Sequence, residues 1–330
     1  MSIPHHVQPL QPGDEAPVVR LWNRALGDTL PLLPRLLHQG TLGDPDLQPG
    51  DALVARHGGQ VIGFVLARTR PPAAGIDPET GWLEAVIVDP AYQRRGLGRE
   101  LVAHAEEYLA SKGVKHIWAG GGPTMFFPGP STLLPGAQRF LEHCGYAPVQ
   151  EVFDVLGNLE TMPRLARVDE ALRAAGARVC PCAEEEWELL DRFLAQHFPG
   201  NWREDRRRHR AMGAPSEEIY LLWVGGEIAG FAQTYRGDSP VLGPNVHWGP
   251  ALGVAEGGLG PIGVAQAWRG RGLGLAVLAQ ALEGLRSRGV RHCVIDWTRL
   301  LDFYGILGFR VWRSYIRMRK DLAPGQSSPK

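Results

Sequence analysis

The chain has 330 residues, 44% hydrophobic and 21% charged, an ordinary globular profile with length for about two domains. Lys plus Arg and Asp plus Glu number 35 each, so zero net charge supplies no global field for nucleic acid or an anionic membrane, and neither is expected as a partner. No apolar run approaches the roughly 18–20 residues of a membrane helix. The stretch from Met1 to His6 has no basic-then-apolar leader pattern, and Cys144, Cys180, Cys182 and Cys293 are too sparse for a disulfide framework, so the expected location is the cytoplasm.

In chain order, a helix is expected over 15–26. Alternating apolar runs at 51–57 and 60–68 flank Gly58-Gly59, a two-residue hairpin signal. An apolar strand over 82–88 leads into Gln93-Arg94-Arg95-Gly96-Leu97-Gly98. Leu97, Leu101, Val102, Ala105 and Leu109 then keep a helical period up to a stop near Gly113. A strand over 115–119 follows. A Gly- and Pro-rich insertion from Gly120 carries Phe126 and Phe127, either an apolar lip or a loop packed on itself. A helix over about 137–143 and a closing strand complete the half. Residues 157–177 lack this pattern and read as a connection, helical over 165–175. The second half has a helix over 184–198, a hairpin of 219–224 and 227–235 about Gly225-Gly226, and a long connection over 236–258. A strand over 259–264, the turn Arg269-Gly270-Arg271-Gly272-Leu273-Gly274, a helix, a strand over 292–296, a helix over 300–307 and a final strand follow.

The halves are two copies of one pattern. Val86 through Gly98 lies over Ile262 through Gly274, and Ser111 through Val114 lies over Ser287 through Val290 at the same offset. Phe140 through Tyr146 lies over Phe303 through Phe309 at a smaller offset, as the insertion requires. A tandem duplication of an α/β or α+β unit around a twisted sheet is therefore expected. In each copy the glycine-rich turn precedes a helix whose first amides and dipole offer an anion site, with arginines beside it. The turn fits neither GxxxxGK[ST] nor GxGxxG. Cys180-Pro181-Cys182 has no partners at zinc spacing, so no metal is expected. Asp296, at the C-terminal end of its strand, is placed where such ends face a ligand crevice. Glu256 and His247 are weaker candidates. The basic run from Arg206 to Arg210 reads either as a solvated helix face or as a site for an acidic group.

Both turns fit [Gln/Arg]-x-x-Gly-x-[Gly/Ala] directly after an apolar strand, which resembles the acyl-CoA motif of the GNAT superfamily of N-acetyltransferases. The resemblance implies two tandem GNAT folds, each a twisted mixed sheet flanked by helices: an N-terminal domain over 1–158, a linker over 159–176 and a C-terminal domain over 177–322. It implies acetyl-CoA as co-substrate. Its pyrophosphate would lie on the amides of Arg95, Gly96, Leu97 and Gly98 in one copy and Arg271, Gly272, Leu273 and Gly274 in the other, with Arg94, Arg99, Arg269 and Gly270 beside them. It further implies that the strand ends at Ile87 and Val88, and at Ile262 and Val264, splay to pair with the pantetheine. A Tyr in Phe-Tyr-x-x-x-Gly-Phe serves the superfamily as acid. Tyr304 fills that place in the second copy and Leu141 in the first, so the second copy is expected to be catalytic. Glu84 sits where a GNAT base is often found, but its counterpart is Gly260, which leaves Asp296 as the base candidate in the second copy. The tandem arrangement resembles mycothiol synthase-type proteins, in which the C-terminal half is catalytic and the N-terminal half keeps a CoA-like site. The expected function is acetyl transfer to a primary amine of a small molecule by direct attack, in a monomer or homodimer. The alternatives are a CoA-binding sensor or assembly module without turnover, and a protein N-acetyltransferase.

Overall fold

The structure, a computed structural model, describes residues 4–73, 75–123, 127–243, 252 and 256–322. It divides into two compact units: residues 1–72, 77–152 and 314–330 form one, and residues 73–76 and 153–313 form the other.

The first unit contains β1 (His6–Pro9), α1 (Glu15–Leu26), α2 (Pro34–Gly40), β2 (Ala52–His57), β3 (Gln60–Arg68), β4 (Thr80–Val88), α3 (Leu97–Ser111), β5 (His116–Ala119) and α4 (Pro135–His143). Strands β1 to β4 pair antiparallel in sequence order, and β4 pairs parallel with β5. Gly58 and Gly59 both have positive φ, +53° and +80°, as a two-residue hairpin turn requires. On α3 the five residues expected on the apolar face are all buried. They join Ile62, Val65, Leu83 and Ile117 in one core.

The second unit repeats this plan. It contains α5 (Ala166–Ala174), β7 (Ala177–Pro181), α6 (Trp187–His197), α7 (Asn201–Ala211), β8 (Ile219–Val224), β9 (Glu227–Arg236), β10 (Glu256–Val264), α8 (Leu273–Ser287), β11 (His292–Thr298) and α9 (Leu301–Gly305). Strands β7 to β10 pair antiparallel in order and β10 pairs parallel with β11. Helix α5, expected within the connection, packs Val168 and Leu172 into the core of α8. This second covering explains why α8 buries eight residues where α3 buries five.

The closing strands depart from a simple duplication. The strand that ends the first repeat, β6 (Ala147–Asn158), runs through both units, and its part from Phe153 to Asn158 pairs antiparallel with β11. The strand that ends the second repeat, β12 (Arg310–Asp321), does the converse: Met318 to Asp321 pair with β5. Each sheet is thus closed by a strand from the other repeat. Both repeats present the same splayed parallel pair, and either closing strand satisfies the same edge.

Candidate functional site

The two glycine-rich turns have one geometry. Gly96 caps α3 and Gly272 caps α8, both left-handed, with φ of +93° and +78°. Two residues earlier the backbone is left-handed again, at Gly270 (φ +75°) and at Arg94 (φ +62°). The first intrahelical bonds are Glu100 N–H to the Gly96 carbonyl and Ala276 N–H to the Gly272 carbonyl, both 3.1 Å. The helix amides before them, Leu97 to Arg99 and Leu273 to Leu275, point out of the helix start, as the first turn of any helix does. The space beside Gly96 is open, since a Cβ there would meet nothing within 4 Å, whereas a Cβ at Gly272 would lie 3.1 Å from the Ala171 Cβ.

The first residue of each motif serves the loop itself. Gln93 donates Nε2–H to the Val88 carbonyl at 3.0 Å, and Arg269 donates Nε–H to the Val264 carbonyl at 2.9 Å. Both tie the turn to the last residue of the preceding strand. Arg271 lies over the Trp268 ring at 4.8 Å. Arg94, Arg95 and Arg99 are exposed. Gly98 serves packing, since a Cβ there would sit 3.2 Å from the Phe140 ring; at Gly274 the matching distance to Phe303 is 3.9 Å.

Each strand before a turn runs past the end of its parallel ladder. The parallel ladder of β4 with β5 covers Thr80–Leu83, and that of β10 with β11 covers Glu256–Gly258. On their other edges β4 and β10 stay paired to Val88 and Val264. Ile87 and Val88, and Ile262 and Val264, therefore lie on segments beyond the ladder. A bulge opens each strand at the same place. The β3–β4 register shifts at Glu84 and the β9–β10 register between Leu259 and Ile262, which brackets Gly260.

In the second unit Tyr304 is 5% exposed, its ring against Phe303 (5.0 Å between centroids) and Phe309 (6.4 Å). Burial pushes its hydroxyl above the ordinary tyrosine value. The Asp296 charge pushes the same way, and a hydrogen bond with Thr298 opposes both. Tyr304 thus stays protonated across neutral pH with a carboxylate in its field. Asp296 stands in a break of the β11–β6 register between Ile295 and Thr298, and the next residue, Trp297, is left-handed at φ +49°. A non-glycine residue in that region is uncommon and needs support. The support is Asp154 on β6, 2% exposed, whose Oδ1 accepts the Trp297 N–H at 3.1 Å. Gly157 on the same strand leaves room for Phe309, whose ring would lie 2.8 Å from a Cβ there. Sequence reasoning missed Asp154; its signal is a lone carboxylate in the apolar run Val152-Phe153-Asp154-Val155-Leu156. Asp154→Ala is expected to lower kcat roughly tenfold by releasing the bulge, while Asp154→Asn, which keeps an accepting oxygen, retains most of it.

In the first unit the corresponding region is closed on itself. Leu141 is buried at 6%, and Glu84 is buried at 5%. Arg68, 2% exposed, is ion-paired with Asp44 and lies 3.3 Å from Asp51 Oδ2, with the Glu84 charge acting on it. The backbone of Gly122 abuts Glu84, whose Oε1 would lie 2.4 Å from a Cβ there. Glu84 lies in the first unit and Asp296 in the second. Glu256 is buried at the start of β10. His247 and Phe126 fall outside the described residues.

The model of the Acetyltransferase (GNAT) family matches this chain twice, over residues 19–126 and 183–309. A mycothiol acetyltransferase of Thermobispora bispora is 27% identical over 283 residues, covering 81% of this chain and 83% of its own. A mycothiol acetyltransferase of Cellulomonas flavigena is 28% identical over 220 residues, 64% of this chain and 58% of its own. Among solved structures, the GCN5-related glucosamine N-acetyltransferase region of a fungal multi-domain β-N-acetylglucosaminidase has a TM-score of 0.86 at 25% identity. It covers 97% of this chain, which spans only 38% of that longer protein. A tandem GNAT protein from the clavulanic acid biosynthesis pathway has a TM-score of 0.67 at 17% identity, covering 98% of this chain and all of its own, and shares the fold.

Proposed function

The chain belongs to the GNAT family of acetyltransferases, and from that premise we propose that it moves the acetyl group of acetyl-CoA to a primary amine of a small molecule by direct attack, with the chemistry in the second unit. The observation that carries this reading is protonated Tyr304 in the field of the Asp296 carboxylate, in the unit whose β10–β11 ladder ends at Gly258, against Leu141 and the ion-paired Arg68 of the first unit. The relatives support a small acceptor, since their names specify mycothiol and glucosamine acetylation.

Acetyl-CoA supplies an activated thioester carbonyl. Around it, the amides of Leu273 and Gly274 and the arginines of the turn hold negative phosphate at the α8 start. The freed edge of β10 from Leu259 to Val264 offers main-chain groups to an extended chain. Asp296 takes the proton that an amine loses on attack, and Tyr304 returns a proton to the departing sulfur. Glu84 serves the ion-pair cluster of the first unit and not the reaction.

Thiol release from acetyl-CoA across an amine panel tests the activity. Gly272→Val places a β-branched residue at φ +78° in the anion cradle. It is expected to weaken acetyl-CoA binding by about 100-fold or more and to abolish turnover, whereas Gly96→Val leaves turnover intact. The opposite pattern in calorimetric titration and turnover would move the chemistry to the first unit.

A further inference from the structure

Gly263 lies on the part of β10 that runs past the end of its parallel ladder at Gly258. Its neighbours Ile262 and Val264 pack on the core of α8. Successive residues of a strand face opposite sides of the sheet, so Gly263 faces away from α8. Its partner across the β9–β10 ladder is Phe231, fully buried in the cluster on that other side, and Ala265 belongs to the same cluster. The room over Gly263 is taken by the ring of Phe198. A Cβ at Gly263 would lie 2.6 Å from the Phe198 Cζ and 2.8 Å from its Cε1.

Phe198 does not belong to the sheet. It caps the C-terminal end of α6, its N–H bonded to the Leu194 carbonyl at 2.8 Å, and Pro199 and Gly200 separate it from α7. Its ring is held by Phe193, Phe231 and Trp202, with centroids 5.8, 5.7 and 5.3 Å away. The first unit fills the same position in another way. Ile87 aligns with Gly263 and is 6% exposed, while Val86 and Val88 on either side pack on the core of α3. There the strand supplies its own side chain. In the second unit the strand carries none at this point, and a residue from a helix end covers it.

A glycine inside a strand weakens the strand and marks a place where another group comes close to the backbone. On β10 that place lies along the edge offered to the extended arm of acetyl-CoA. The arm starts at the α8 cradle and runs back past Val264 towards the bulge, so its acyl end passes beside Gly263. We infer that Phe198 is the residue that selects the acyl group: its ring closes the face of β10 onto which a chain longer than acetyl would extend, and so restricts the donor to short acyl groups. The inference rests on the reading of the second unit as the catalytic one. The ring is a rigid stop because moving it breaks three aromatic contacts at once. Without the ring, the room left is lined by Phe193, Phe231 and Trp202, a surface suited to an alkyl chain.

Calorimetric titration of the full chain with acetyl-CoA and butyryl-CoA tests this without an acceptor amine. At the site that Gly272→Val removes, wild type is expected to bind butyryl-CoA roughly 10- to 100-fold more weakly than acetyl-CoA, the range in which a closed apolar pocket rejects extra methylenes. Phe198→Ala is expected to reverse the order, because the longer chain fills the space left by the ring. Phe198→Leu, a smaller stop, is expected to fall between the two and serves if the Ala variant does not fold. Two results overturn the inference. One is wild type binding butyryl-CoA as tightly as acetyl-CoA. The other is variants that lower Tm and weaken both donors alike, since a Phe198 that only packs leaves their ratio where it was. The reading beneath is separable: if Gly272→Val removes acetyl-CoA binding while the ratio ignores Phe198, only this inference falls, and if Gly272→Val leaves all binding intact, both fall.

Discussion

Replacing Tyr304 with Phe is expected to lower kcat by about 10²- to 10⁴-fold, the range in which a positioned proton donor contributes, with acetyl-CoA affinity unchanged. The substitution removes one oxygen and keeps the ring that packs on Phe303 and Phe309, so the fold is held constant. The hydroxyl is raised above its ordinary value by burial and by the Asp296 charge, and so it carries its proton throughout neutral pH. The pH–rate profile of wild type should consequently show no fall on the alkaline side from loss of this proton until well above neutrality. Asp296→Asn relieves the charge that raises Tyr304 and removes the proton acceptor, and should move the acid limb of kcat. Leu141→Tyr is expected to leave turnover unchanged, since the first unit lacks the carboxylate partner. Thiol-release kinetics with calorimetric titration of CoA decide the matter: a Tyr304→Phe enzyme with wild-type kcat would place the proton donor elsewhere.

Replacing Arg68 with Leu is expected to destabilise the protein by about 3–5 kcal/mol, the cost of leaving buried carboxylates without their cation. Asp44, Asp51 and Glu84 are all within 5% exposure around a guanidinium that is itself 2% exposed. Asp51 also accepts the Tyr108 hydroxyl at 2.8 Å and the Gln48 amide at 2.8 Å, and these bonds remain in the variant. Even in wild type, burial outweighs these partners and holds the Asp51 carboxyl above its ordinary value. Such a group contributes stability below its unfolded pKa and loses it as pH rises through the raised native value. Without Arg68 the Asp51 carboxyl is raised further, so the penalty should be largest near neutrality and shrink on acidification. Denaturant midpoints over a pH series measure this; a penalty independent of pH would show that lost packing of the arginine stem, and not its charge, accounts for the loss. Turnover per folded molecule should be unchanged, because the cluster lies outside the second unit.

The pattern of the chain makes the elements and their duplication legible without coordinates. Paired glycines between alternating runs predict both hairpins, and a 3.6-residue period predicts α3 and, through the repeat, α8, because turn chemistry and one-sided burial are written in neighbouring residues. The aligned turns also mark the left-handed positions Gly96, Gly270 and Gly272, where glycine is the residue that the backbone favours. Arg94 is the exception, since its φ of +62° is recognisable only from its alignment with Gly270. Short strands such as β1 and β7 escape notice because four or five half-exposed residues carry little periodic signal.

What the sequence determined alone is the pair of repeats, the strand–turn–helix anion cradle in each, and the difference between Tyr304 and Leu141. Only the tertiary structure decided that β6 and β12 each close the sheet of the other repeat, that Asp154 of the first repeat steadies the bulge behind Asp296, and that Arg206 and His209 of the basic run are buried while Arg207 faces out. The reason is physical. Local order depends on residues a turn apart, which the chain lists side by side, whereas the partner of a strand edge and the buried face of a charged helix depend on free-energy differences between contacts far apart in sequence. Two repeats with the same edge chemistry leave that choice open until the whole chain is packed.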